Sequence, residues 1–215
     1  MTKNHLWILI PLGIVGIFSI ALLAANALPQ KAPKETDIPE TLSLLSAPEV
    51  TVADPARGSA TAKLVVVEFG DFGCEHCKET EKLLQEFLLA HPSDVRIVWK
   101  DFPIESARPG AREAAEAARC AGRAGKFWEY HDALMAAQTL PREAELGTIA
   151  QNLGLNGQNF LACLGGDFTI PLIDRTFEEG QRLRIDGVPY FFFGSERFSG
   201  APTREVLEAA LAATR

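Results

Sequence analysis

The chain has 215 residues, room for one ordinary domain and a subdomain once any targeting segment is set aside. Its 21 Lys and Arg face 28 Asp and Glu, and the net charge of −7, with no block of like charge, argues against a nucleic-acid partner. At 47% hydrophobic and 23% charged residues it has the composition of a folded protein, not a disordered one.

From Leu6 to Leu28 the sequence LWILIPLGIVGIFSIALLAANAL carries no charge. At about 1.5 Å per residue such a run crosses a bilayer core. Residues 1–28 are therefore expected to form an N-terminal transmembrane helix, with cleavage after Ala27, at the small-x-small site Ala25-Asn26-Ala27, as the alternative. Lys3 on one side and Lys31 and Lys34 on the other leave the positive-inside rule nearly silent. The cysteines decide the orientation instead. Cys74, Cys77, Cys120 and Cys163 make an even count behind an export-type segment, which fits an oxidising compartment. The expected location is the cytoplasmic (inner) membrane, single-pass, with the domain on the periplasmic side, or the periplasm itself after cleavage.

Residues 29–47, rich in proline and charge, read as a linker. A short strand is expected near Glu49 to Val52, then a turn from Asp54 to Gly58. Lys63 to Phe69 is a β-branched apolar run, the pattern of a strand buried on both faces. Glu75 to His91 has leucines at helical spacing, acids in its first turn and Pro92 just beyond it, so a helix is predicted there. Val95 to Lys100 reads as a second strand, parallel to the first if the helix crosses over. From about 108 to 184 the texture is Ala, Glu, Arg and Leu broken by Gly and Pro, which predicts four or five helices. Val188 to Phe193 and Arg197 to Ser199 return to sheet, and Pro202 to Ala213 closes with an amphipathic helix whose Val206, Leu207 and Leu211 face inward.

The motif Gly73-Cys74-Glu75-His76-Cys77-Lys78 thus falls where a strand hands over to a helix N-terminus. Three chemistries use two cysteines at this spacing. Structural zinc needs four ligands, and no second CxxC or paired histidines accompany this one. A structural disulfide would close a very small loop and so contribute little stability. A redox pair gains most from the placement, because first-turn amides and the helix dipole stabilise a thiolate at Cys74. Protonated His76 would help, Glu75 would oppose at about 0.6 kcal/mol if some 7 Å away in water, and Cys77 would resolve a mixed disulfide.

The run VVVEFGDFGCEHC, the segment Gly187-Val188-Pro189-Tyr190-Phe191 and the helical block with Phe127, Trp128 and Tyr130 resemble the thioredoxin-like superfamily, in particular the DsbA family of thiol–disulfide oxidoreductases. Glu75 departs from the proline usual in that family. The resemblance spans about residues 48–213. It implies an α/β thioredoxin fold with an inserted α-helical subdomain, preceded here by the membrane helix, and no cofactor or metal. It also implies a cis peptide bond before Pro189, with Val188 offering its backbone to a substrate chain. By the same resemblance, Glu68, six residues before Cys74, relays protons to Cys77, with Lys100 expected as its charge partner; a structural ion pair is the alternative. Asp71 reads as a turn residue that caps the helix, and the aromatics Phe127, Trp128 and Tyr130 as packing residues. Cys120 and Cys163 resemble a second, structural cysteine pair of some relatives. The implied function is disulfide formation in exported proteins through Cys74 and Cys77, with exported cysteine-containing proteins as substrates and a membrane partner of DsbB type, or a thiol donor, for recycling. A tethered reductase or isomerase, or a soft-metal (copper) carrier, stands as the alternative.

Overall fold

The computed structural model describes residues 46–214. The expected anchor at 1–28 and most of the linker at 29–47 lie outside these residues. Among the described residues no helix is long and apolar enough to cross a membrane.

Five strands form one sheet: β1 Ala56–Gly58, β2 Leu64–Gly70, β3 Val95–Asp101, β4 Tyr190–Phe193 and β5 Glu196–Ser199, in spatial order β1-β3-β2-β4-β5. Helix α1, Glu75–Ala90, crosses from β2 to β3, which run parallel with Leu64 opposite Val95 and Gly70 opposite Asp101. β4 then returns antiparallel to β2, pairing Glu68 with Phe191, and β5 follows it as a hairpin. Between β3 and β4 lie five helices: α2 Ala111–Arg123, α3 Phe127–Ala136, α4 Glu143–Asn152, α5 Gly157–Leu164 and α6 Ile170–Arg182. Helix α7, Arg204–Ala212, closes the chain, with Leu207 and Leu211 buried and Val206 half-buried.

The apolar run of β2 is explained by its two buried faces. Leu64 and Val66 pack with Leu84 and Phe87 of α1 and with Leu207 and Leu211 of α7. Val67 and Phe69 join Val98, Phe102 and Leu183 on the other face. A third cluster fills the space between the CxxC end of α1 and the inserted helices, from Phe72 and Trp99 to Tyr130, Leu134 and Ile173. Fully burying side chains of this size stabilises by about 1.5–3 kcal/mol each. Gly70 is required by this packing, since a Cβ there would meet the Trp99 ring at 2.3 Å.

One expected element moves. The strand predicted near Glu49–Val52 lies instead at Ala56–Gly58, inside the stretch read as a turn. Segment 49–54 is held by side chains: the Glu49 amide donates to Glu179 at 2.6 Å and the Thr51 amide to Asp54 at 2.7 Å. Its polar groups go to side chains, so it needs no strand partner.

Candidate active site

Helix α1 starts at Cys74 because Cys74 is its own cap. The Cys77 amide donates to Cys74 Sγ at 3.3 Å, the bond a serine or aspartate oxygen would ordinarily accept. Asp71, expected as the cap, serves the turn before it: its carboxylate accepts from the Gly73 amide at 2.7 Å, the Ile104 amide at 2.9 Å and Arg108 at 3.2 Å.

Val188 closes the site from the far end of the sequence. The Cys74 thiol donates to the Val188 carbonyl at 3.3 Å, and the Val188–Pro189 bond is cis. Cys74 and Cys77, 1% and 0% exposed, are both free thiols.

Their surroundings make them unlike. The hydrogen bond from the Cys77 thiol is the largest influence on Cys74; against the opposing effect of burial, the Cys77 amide and the Arg108 guanidinium add to it, and the Cys74 pKa falls to about 7. Burial pushes the Cys77 thiol far up, and its bond to Cys74 and the nearby Glu68 push the same way. Cys74 is thus the sulfur that can be a thiolate at neutral pH, and Cys77 the one that must carry a proton when reduced.

His76 and Glu75 are exposed. The His76 side chain, 73% exposed, is hydrogen-bonded to Glu79 at 3.1 Å, which raises its pKa. A cation that sequence reasoning did not single out is Arg108, brought to the site through Asp71 by the loop after β3.

Glu68 lies beneath the cysteines, 1% exposed. Burial, then the charge of Glu81, raises its pKa well above the usual carboxylate range. The expected pairing with Lys100 does not form. In the parallel register Glu68 stands opposite Trp99, and Lys100 is opposite Phe69, so the two side chains leave the sheet on opposite faces. Lys100 instead donates to Asp54 and Glu179, each at 2.9 Å, and to the Glu49 carbonyl at 2.5 Å. The cation near Glu68 is Arg57, placed on the α1 face by its pairing opposite Ile97. Arg57 binds Glu81 of α1 and, at 3.1 Å, Asp132 of α3. Glu81 could have been read from the sequence, since it lies one turn after Cys77 on the buried stripe of α1; Arg57, inside an expected turn, gave no signal.

Glu81, His131 and Asp132 bring their donor atoms within 4.8 Å of one another, the spacing of a metal site. Arg57 already binds both carboxylates, so the cation at this place is the protein's own. Farther off, Cys120 of α2 and Cys163 of α5 are joined by a disulfide. Phe127 and Tyr130 are buried packing residues, and Trp128 packs under the Arg57 guanidinium, 4.2 Å from the ring centre.

A family model described as thioredoxin matches residues 50–213. Among solved structures, a thioredoxin-like oxidoreductase from Silicibacter pomeroyi DSS-3 shares 27% identity at a TM-score of 0.71, covering 77% of this chain and 94% of that one. The thiol–disulfide exchange protein alpha-DsbA2 from Wolbachia pipientis superposes at a TM-score of 0.69 with 19% identity, over 76% of this chain and 88% of its own, a likeness of fold. In sequence, the chain is 36% identical over 158 residues to the Na(+)/H(+) antiporter NhaA 1 of Salinispora arenicola, which is 74% of this chain and 24% of that protein. The chain thus spans about a quarter of the length of the first curated relatives it matches.

Proposed function

The chain belongs to the thioredoxin family, and from that premise we propose that it is a protein thiol–disulfide oxidoreductase of DsbA type that forms disulfides in exported proteins. The observation that carries the proposal is the asymmetry of the pair, with the Cys74 pKa lowered to about 7 and Cys77 buried and protonated. A substrate thiolate attacks Cys74 Sγ of the oxidised pair, the Cys74–Cys77 bond breaks, and Cys77 leaves. A second substrate thiolate then attacks the substrate sulfur of the mixed disulfide, and Cys74 departs as a thiolate. The Val188 carbonyl, beside the cis proline, offers the incoming chain a backbone acceptor.

Stabilising the Cys74 thiolate stabilises the reduced state, which makes the disulfide more oxidising. A second reading, a reductase fed by a membrane thiol donor, is favoured by the size of that effect. A thiol near 7 matches the value of about 7 for thioredoxin rather than about 3.5 for DsbA. The uncharged stretch Leu6 to Leu28 supports a membrane tether, and the even cysteine count behind it supports a periplasmic domain, within reach of a recycling partner such as a DsbB-type quinone-linked oxidase.

The deciding measurement is the equilibrium reduction potential of the Cys74–Cys77 pair against glutathione, with Cys120→Ser/Cys163→Ser as the control. A value of about −120 to −160 mV supports the disulfide donor, and one of about −250 mV or below overturns it in favour of the reductase.

A further inference from the structure

Glu68 is 1% exposed, and its Oε1 has no hydrogen-bond partner among the described residues. The same is true of three buried nitrogens on its face of the sheet: Arg57 Nε, Trp128 Nε1 and His131 Nε2. They form one cluster, since Trp128 lies 4.2 Å from the Arg57 guanidinium and 4.9 Å from the His131 ring, and His131 is 4.7 Å from the Trp99 ring that stands opposite Glu68. Buried polar atoms are ordinarily paired, with protein or with bound water. Four in one place are groups that bound water would join, and linked groups of this kind can pass a proton.

The need for such groups follows from the proposed exchange, on which this inference rests. When a substrate thiolate bonds to Cys74, the electron pair of the broken Cys74–Cys77 bond stays on Cys77 Sγ. That sulfur takes a proton from the Glu68 carboxyl, and Glu68 becomes a buried carboxylate that must be protonated again. Cys77 is 0% exposed and the substrate now covers Cys74, so the mouth of the site cannot supply the proton.

We propose that His131 and Asp132 form a side route by which Glu68 regains its proton from solvent while a substrate is attached. The proton enters at Asp132, whose side chain is 41% exposed and lies 2.9 Å from His131 Nδ1. The imidazole accepts it there and releases one at Nε2, which is 4.0 Å from Glu81 Oε2, a gap that a bound water or a small shift of the ring spans. Glu81 hands it to Glu68. Arg57 binds Glu81 and Asp132 at once and so fixes both ends of the route. The charged and titratable groups that act on Glu68 are Glu81, Cys74 and Cys77 from α1 and its cap and Arg57 from β1, with His131 and Asp132 of α3 behind Glu81. The residues opposite it on β3 and β4, Trp99 and Phe191, carry no charge.

The test uses the oxidised full chain, mixed rapidly with a cysteine-containing peptide while tryptophan fluorescence follows disulfide exchange and a pH indicator follows proton uptake. His131→Phe keeps an aromatic ring within the cage of Phe72, Trp99, Phe127 and Trp128. Asp132→Asn changes a half-exposed side chain and covers the case in which the first variant does not fold. Each is expected to slow proton uptake about tenfold, with the reduction potential and the Cys74 titration unchanged. Proton uptake at the wild-type rate in both variants would overturn the route. So would a slowing that comes with a shifted potential, which is the mark of a structural role. A wild type that exchanges no disulfide with the peptide sinks the parent proposal as well.

Discussion

Lys100 and Glu68 sit on neighbouring strands of one sheet, and the contrast between their surroundings separates what holds this fold from what works in it. Around Lys100 every charge has a partner: its ammonium reaches Asp54, Glu179 and the Glu49 carbonyl, and Asp54 also takes a hydrogen bond from Arg175 at 2.5 Å. Around Glu68 the pairing is incomplete, with four buried polar atoms left over. Burying charge costs several kcal/mol per ion unless each is paired. One buried cluster closes ion pairs around its central cation, and the other, on the opposite face of the same sheet, leaves Glu68 Oε1 without a hydrogen-bond partner among the described residues, a difference that supports a chemical role for the second.

The largest expected effect breaks the satisfied side. Lys100→Met leaves Asp54 and Glu179 buried without their cation and should cost about 3–5 kcal/mol in chemical denaturation, while the exchange rate per folded molecule is unchanged. On the other face the sign reverses. Glu68→Gln removes a carboxyl whose ionisation burial opposes and should raise neutral-pH stability by about 1–3 kcal/mol while slowing disulfide exchange. A substitution that makes the protein stabler and slower has struck the working cluster.

The pH dependence sharpens the comparison. The Glu68 pKa is raised on folding, so its contribution is fully present below the ordinary value of 4.5 and is lost as pH rises through the folded value. The melting-temperature advantage of Glu68→Gln should therefore grow as pH rises above about 4.5. Burial acts to raise the Asp54 pKa, but hydrogen bonds from Thr51 and Lys100 and the charges of Lys100 and Arg175 hold it below 3.8. Its contribution is present above that value and lost as pH falls through the folded one, so Lys100→Met should flatten the acid limb of the same curve. The smallest effect belongs to neither cluster. His76→Ala, at a side chain 73% exposed, should leave the melting temperature unchanged and shift the Cys74 thiolate titration, followed by absorbance, by less than Arg108→Ala does.

Much of this was legible before any coordinates. The β-branched run of β2, the leucine spacing of α1 and the Gly and Pro breaks of the insertion each follow from local rules, and they place Cys74 at a helix start. The pairing of Glu68 was misread for a reason that is also physical. Lys100 is the cation at the end of the next strand, but side chains alternate along a strand, and only the register of β2 against β3 decides which face each residue takes. Sequence does not print register. The same blindness hid Arg57, whose three-residue strand carries no period to detect, and the meeting of α3 with α1, which brings His131 to 4.0 Å from Glu81.

The return of β4 to β2 sets an order of events during synthesis. Val67 pairs with Phe192, so the central strand waits for some 125 residues before its second neighbour exists. At about 5–20 residues per second that is roughly 6–25 s of growing chain. In that interval Cys74, Cys77 and Cys120 all precede Cys163, and Cys120 has only the redox pair to bond with until α5 arrives. A chain oxidised too early would lock the wrong cysteines together, which makes the timing of its own first oxidation part of what this sequence must get right.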